Sequence, residues 1–580
     1  YTTGCGIYNN KRTIILKVNF YPIRYSPENH QLKFGKKIKL IIEYEKHETK
    51  QIYFSQNYNM LIIGPDYYYE NMIPYIKWKK ACNFSCFWVN VSDIYSGKIF
   101  ANIGRDEPES IKMFIYNAIE QWNITYLLIV GGSSDVPVRY GNINDGEEEE
   151  YISDLYYADI YNAKGEFCSW DANQNNLFGE YGNDGVDLYP DIYFGRLACA
   201  HSSEVSRVLG KIISYTENNS PAQDWFSNIV VVGGDTFDDD DNLDEGELLN
   251  QRIEEIMFDY NPVEIWASNG LLNDTANINN AIEAGASFID LSGHGSKTSW
   301  ATHPHKEFDT WIPYGAYRVN DISRLKNKNK LIIAVVNGCS NSNFGIDHCF
   351  SWAFLSNPMG GGIASFGYSG ISWGYLGRYH QDGLSGGMQI KMFEAFSIEK
   401  SKTLGELWVN GLSNYIKDYI NRGSALKKDF KLVEEYQIFG DPSLSIVEIN
   451  SQKPNTPSQI IGPDEGKRKK EYTFTSSTDD PDQHMIRYCF DWGDGKLTWS
   501  DWINSGETVS MNHSWEKIGH YDIKVKARDP YGLESNWSEP HMIKINFFKS
   551  ENLIAKLEHL VAYFPYFREF YKNILGCDES

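Results

Sequence analysis

Residues 286–295 read ASFIDLSGHG, and residues 330–339 read KLIIAVVNGC. Each is a short apolar run that stops on glycine beside one reactive side chain, His294 in the first and Cys339 in the second. Apolar runs of this length, bounded by glycine, predict strands buried on both faces. Strands of that kind belong to parallel sheets, whose sites lie beyond the carboxyl ends of the strands. If the two strands are neighbours, the imidazole and the thiol face one another across that edge.

The same grammar extends in both directions. NMLIIG (59–64) and TYLLIVGG (125–132) are apolar runs ending in glycine, with helical periodicity over 69–80 and 107–122 between them. NIVVVGGD (228–235) and VEIWA (263–267) follow, with helices predicted over 245–258 and 274–284. Strands alternating with helices predict an α/β parallel sheet in two halves, 57–222 and 223–449. Residues 13–45 alternate as β-hairpin material with a turn at SPENHQ, so 1–56 reads as the end of a larger β region. A Pro/Ser-rich linker spans 450–463, and short strands and turns over 464–546 predict an all-β sandwich. An aromatic helical tail is predicted over 547–580.

The two strand ends suit covalent acyl transfer. A thiol near its ordinary pKa is mostly protonated at neutral pH, and a nearby imidazole raises the thiolate fraction. The imidazole can then return the proton to a leaving amine. Glycine lets backbone approach a substrate closely, and the amides of Gly295 and Cys339 are placed to donate to an oxyanion. Taken singly, a cysteine after a strand is more often a small buried hydrophobe, and a histidine between glycines an ordinary polar loop residue. The shared pattern of the two ends favours the catalytic reading. Zinc is disfavoured, because neither residue has a second CxxC or HxxxH partner. Cys349 is the nearest rival nucleophile, but it follows no apolar strand.

SGHGSKTSW with VVNGCSNSNF resembles the gingipain family of cysteine peptidases, within the caspase-like clan. YLLIVGGSSDVP (126–137), LYPDIYFGRL (188–197), GISW (370–373) and IFGDPSLSIV (438–447) are similar to further segments of that family. The resemblance covers about 57–449, and 13–45 looks like the end of the family's prodomain. It implies a caspase-like catalytic fold, with His294 as the catalytic histidine and Cys339 as the nucleophile. It implies that Asp235 assists the histidine and that Trp373 lines the primary specificity pocket. FDDDDNLDEGE (237–247) falls where the family can place an acid at the base of that pocket, and Asp244, then Glu247, are the residues chosen. Such an acid implies Arg or Lys at the cleaved bond, although the run 238–241 also reads as a solvated or Ca²⁺-binding loop. The chain departs from the pattern at Gly338 and in a long insert carrying His303, His305 and Trp311. A precursor cut near 45–57 is also expected.

WDANQNNLFGE (170–180) spaces Asp171, Asn173 and Asn175 at alternate positions, with Glu180 beyond. That spacing suits a structural Ca²⁺, although the loop lacks the glycine of an EF-hand. YCFDWGDG (488–495) and HSWEKIGHYDIKVKARDPYG (513–532) resemble a PKD-type immunoglobulin-like module, which implies cell-surface or matrix contacts.

Bulk properties bound the rest. A net charge of −23 argues against nucleic acid as a partner. No apolar run is long enough for a transmembrane helix, and no organic cofactor is implied. Nine cysteines are too sparse for a disulfide framework, although Cys82 and Cys86 could pair. Sequons such as those at Asn83, Asn123 and Asn512 weakly favour an extracellular setting. The expectation is a secreted or surface cysteine endopeptidase acting on protein or peptide. A transpeptidase or sorting enzyme on the same fold, and a non-catalytic adhesion protein, are the alternatives.

Overall fold

The computed structural model describes residues 1–37, 39–42, 57–239, 242–420 and 427–547. The expected precursor cut and helical tail fall on 43–56 and 548–580, outside the described residues. The chain divides into two compact units, Tyr1–Asn450 and Ser451–Ser580.

The apolar runs of the first unit form one sheet of ten strands. From one edge its order is Asn261–Trp266, Asn228–Gly233, Phe288–Ser292, Ile332–Asn337, Gly362–Tyr368, Tyr436–Phe439, Tyr193–Leu197, Tyr126–Val130, Met60–Gly64 and Cys86–Asn90. Every pairing is parallel except that of Gly362–Tyr368 with Tyr436–Phe439. Tyr436–Phe439 therefore joins the two expected halves into one continuous sheet. The inner strands are buried throughout, apart from partly buried Asn228 at the start of its strand, which is why they read as unbroken apolar runs and not as alternating ones. Ordinary caps set the helix starts: Asp106 accepts from the Glu109 amide, and Asp274 from the Ala276 amide.

A buried ion pair lies within the first half, on the strand next to the junction. Arg196, on Tyr193–Leu197, donates from Nε and Nη2 to Asp154 at 2.5 and 2.7 Å, and from Nη1 to the Gly131 carbonyl at 2.9 Å. The two side chains are 0% and 2% exposed. Asp154→Ala leaves the guanidinium without its counter-charge, and a loss of about 3–5 kcal/mol in unfolding free energy is expected by urea denaturation.

At the N-terminus, Thr2–Tyr8 and Lys11–Lys17 form a hairpin, and Ile23–Ser26 and Gln31–Phe34 form a second one around the SPENHQ turn. The first hairpin sits on the 187–193 segment: Cys5 N donates to Asp187 and Ile7 N to the Pro190 carbonyl, each at 2.9 Å.

The second unit has a five-stranded and a two-stranded sheet around Phe474, Trp492, Trp515, Ile523 and Val525. Gly493 turns with φ +72°, and a Cβ there would meet the Asp522 backbone at 2.9 Å, so the WGDG turn needs its glycine. The expected linker is part of this unit. Ile461 pairs with Thr475, and Ile460 is buried in the core, because its prolines leave enough amides to bind the neighbouring strand.

Candidate active site

Four neighbouring strands deliver the site. His294 follows Phe288–Ser292 by two residues, and Cys339 follows Ile332–Asn337 by two. Ser292 and Asn337 are paired in register, so the two reactive residues emerge at the same level. Thr236 leaves the end of Asn228–Gly233 on one flank, and Ser372 and Trp373 follow Gly362–Tyr368 on the other.

The histidine is oriented by backbone. His294 Nε2 donates to the Thr236 carbonyl at 2.7 Å. A ring nitrogen facing a carbonyl must carry the proton, so Nδ1 is the basic nitrogen. The ring also packs edge-on against Trp311, with centroids 5.4 Å apart. On the other side, Cys339 Sγ donates to the Ser372 carbonyl at 3.4 Å and accepts from Ser372 Oγ at 3.7 Å. Cys349, the rival thiol, is fully buried, and burial pushes its pKa up to about 12.

The two glycine turns lie against one another. A Cβ on Gly338 would stand 2.9 Å from the Gly295 amide nitrogen, and one on Gly295 would meet the Cys339 carbonyl at 2.6 Å. Asn341 ties the two loops together, donating to the Ser296 and Ser299 carbonyls at 2.8 and 2.9 Å. The backbone at Gly295 and the backbone at Gly338-Cys339 are thus packed directly against one another.

The insert after His294 is ordered by pairing. His294–Ser296, Ser299–Thr302 and Ile312–Arg318 form a three-stranded antiparallel sheet. His303 exchanges backbone bonds of 3.0 Å with Asp235, so the insert is stitched to the loop that carries Thr236.

Trp373 stands over an acidic network. Its indole N–H donates to Asp145 at 2.8 Å, and the Lys428 ammonium lies 2.9 Å from its ring centroid. Beneath it, buried Lys431 binds Glu435 at 2.6 Å, Glu148 at 3.0 Å and the Ile371 carbonyl at 2.8 Å. Burial pushes the Glu435 carboxyl up to about 8 against the pull of Lys431.

Residues 53–447 match the family model of Peptidase family C25, and residues 463–541 that of the PKD domain. The chain belongs to peptidase family C25. Gingipain R2 of Porphyromonas gingivalis is 22% identical over 419 residues, covering 70% of this chain and 48% of its own length. Lys-gingipain W83 of the same organism is 20% identical over 406 residues, covering 64% of this chain and 20% of its own. The chain therefore spans about half the length of the first and a fifth of the second. A solved "Structure of Protease" shares the fold with a TM-score of 0.50 at 15% identity, over 84% of this chain and 97% of that one.

Within this C25 fold, several expected residues have other partners. Asp235 lies on the loop that carries Thr236, but its carboxylate accepts from the Lys306 amide at 2.8 Å, while the Thr236 carbonyl holds His294. A carbonyl one residue further along the strand axis reaches the ring, and the Asp235 side chain turns toward the insert. Asp244 bonds His305 at 2.5 Å, and Glu247 bonds the Ser268 amide and hydroxyl at 2.8 and 2.6 Å. Of the acids in the 244–247 run, the one that reaches the segment following Trp373 is Glu245, between the two chosen. It accepts from the Thr236 amide at 3.1 Å and the Gly377 amide at 3.0 Å. Burial raises its carboxyl to about 7, against those bonds. Helix Glu245–Ile256 begins at this residue, and that start decides which acid points inward. Sequence reasoning also missed Asp145, Lys428 and Lys431, because no local pattern links them to Trp373.

The Asp171 loop does not offer converging free oxygens. Asp171 is paired with Arg105 at 2.6 Å, and the side-chain amides of Asn173 and Asn175 both donate to Glu180, at 2.9 and 2.7 Å. Arg105 is thus the cation that faces the Asp171 carboxylate in this structure. Cys5, Cys86, Cys168, Cys199, Cys339, Cys349 and Cys489 are free thiols, so the Cys82–Cys86 pair that the spacing allowed is not formed. No helix among the described residues is long and apolar enough to cross a membrane.

Burial lowers the His294 pKa below 6.5 and raises the Cys339 pKa above 9.0. Both shifts favour the uncharged forms, so the resting pair is thiol and neutral imidazole. Alkylation of Cys339 by iodoacetamide, followed on its own peptide by mass spectrometry, is therefore expected to rise through a pKa above 9. The acid limb of peptide cleavage is expected below pH 6.5, where the imidazole protonates. A thiol already reacting at its maximal rate at pH 7 would indicate a resting ion pair instead.

Proposed function

We propose that this chain is a secreted or cell-surface cysteine endopeptidase that cleaves after a basic residue. The single observation that carries the peptidase reading is the pairing in register of the two strands that lead to His294 and Cys339. Nε2 of His294 is committed to the Thr236 carbonyl, which leaves Nδ1 to take the thiol proton. Cys339 Sγ attacks the scissile carbonyl as that proton transfers. The oxyanion forms against the amides of Gly295 and Cys339, and the imidazolium protonates the leaving amine. Water, deprotonated by the same imidazole, then hydrolyses the thioester.

The wall around Trp373 supports a basic preference. It already binds a cation, the Lys428 ammonium, on the indole face, with Asp145 and Glu148 close behind. A substrate Arg or Lys meets the same combination of ring and carboxylates. Relatives named Gingipain R2 and Lys-gingipain W83 are consistent with this reading. The PKD-type unit suits contact with a surface or matrix.

The test is a panel of fluorogenic peptides with Arg, Lys, Asn or Asp before the scissile bond, with a peptidyl chloromethylketone as a label. Faster cleavage of the Arg or Lys peptides, with the label on Cys339, is the expected result. Preference for Asn or Asp would overturn the basic reading. No cleavage and no labelling of Cys339 would overturn the peptidase reading itself.

A further inference from the structure

The insert between His294 and Cys339 holds a feature that the proposed chemistry leaves unused. Trp311 is 48% exposed, and its indole stands nearly perpendicular to the His294 ring with centroids 5.4 Å apart. A large apolar ring left half open to water beside a reactive imidazole offers surface that a substrate can cover.

That ring is fixed before any substrate arrives. The His303 ring lies against it with centroids 4.0 Å apart, and Phe308 packs on His303 at 5.5 Å. His303 is 5% exposed, and its Nδ1 donates to the Thr310 carbonyl at 2.8 Å, which closes the turn that leads into Trp311. The backbone bonds between His303 and Asp235 tie that turn to the loop that holds His294. Ile312, the residue after Trp311, is buried and pairs with Thr302. A side chain anchored in this way loses little freedom when a ligand covers it, so apolar contact with it is not offset by ordering.

The order of the strands gives the ring a side. Asn228–Gly233, Phe288–Ser292, Ile332–Asn337 and Gly362–Tyr368 are consecutive in the sheet. The strand that leads to Cys339 therefore lies between the strand that leads to Ser372 and Trp373 and the strand that leads to His294. With the residue before the scissile bond on the Trp373 side, the leaving amine lies on the His294 side, because that imidazole supplies its proton. The first residue of the leaving peptide then passes Trp311. We propose that Trp311 forms an apolar subsite for the residue that follows the scissile bond, accepting a large aliphatic or aromatic side chain. The inference rests on the peptidase reading above. Such a side chain removes the open part of the indole from water, whereas glycine covers none of it and a carboxylate is desolvated against it.

The test is a set of internally quenched peptides that share the preferred residue before the scissile bond and carry Leu, Phe, Gly, Ser or Asp after it. For the parent chain, kcat/KM is expected to be at least about tenfold higher for the Leu and Phe peptides than for the Gly and Asp peptides. Trp311→Ala is expected to bring that ratio below about threefold by slowing the Leu and Phe peptides, and Trp311→Phe to keep most of it. Trp311→Lys, a substitution that a half-exposed position tolerates, is expected to favour the Asp peptide over the Leu peptide. An equal loss for all five peptides in Trp311→Ala, with the Leu preference kept in Trp311→Lys, would mean that the ring acts only through His294 and would overturn the subsite. Cleavage by the parent with no preference among the five would overturn the subsite and leave the peptidase reading standing. No cleavage of any peptide by the parent would overturn the peptidase reading and the subsite with it.

Discussion

Cys339→Ala is expected to lower kcat/KM for the best peptide of the panel by about four to six orders of magnitude. As the proposed nucleophile, Cys339 sits where neither of the two nearest candidates among the described side chains can replace it. Ser372 Oγ lies 3.7 Å from the sulfur, but it donates its proton to that sulfur and is not held by His294. Cys349 is buried at a helix start, and burial holds it as a thiol. The variant should fold as the parent does, because Cys339 is only partly buried and its removal orphans no buried charge. Binding of the peptide, measured by fluorescence anisotropy, should persist within a few-fold. Cleavage retained within tenfold of the parent would place the nucleophile elsewhere.

Gly295→Ala is expected to lower kcat by about a hundred- to a thousandfold. The reason is space, since no left-handed backbone is involved. A Cβ at this position overlaps the Asn341 side-chain oxygen and comes within 2.6 Å of the Cys339 carbonyl. Asn341 cannot retreat cheaply, because its amide group spans the Ser296 and Ser299 carbonyls. The Cys339 backbone must therefore shift, and with it the thiol and the two amides proposed to hold the oxyanion. Gly132→Ala is the control: a Cβ there meets nothing within 4 Å, and activity within twofold of the parent is expected. Equal losses in the two variants would attribute the effect to folding and not to the site.

Much of this protein is written in short stretches of sequence. The runs ending at Gly233, Ser292 and Asn337 announce buried parallel strands, because a strand covered on both faces has to be apolar throughout. Glycine beside His294 and beside Cys339 follows from backbone packing that leaves no room for a side chain. The helix over 107–122 and the WGDG turn were equally legible, since a cap and a tight turn are local chemistry.

Other features depended on which segments meet in space. Tyr436–Phe439 is only four residues long, and nothing local says that it runs against one neighbour and along the other, joining the halves. Asp235 seemed the residue to assist His294, but a strand end offers both a side chain and a carbonyl, and the Thr236 carbonyl is the one that reaches the ring. Asp244, Glu245 and Glu247 look alike in sequence. The helix start and the position of the Gly377 amide select Glu245. The sequence by itself determined the buried strands and where they end, because these rest on hydrophobic burial and glycine sterics within a few residues. Only the tertiary structure decided the partners of His294, Trp373 and the acidic residues. Hydrogen bonds and ion pairs act over about 3 Å, and residues far apart in the chain are brought within that distance only by the packed fold.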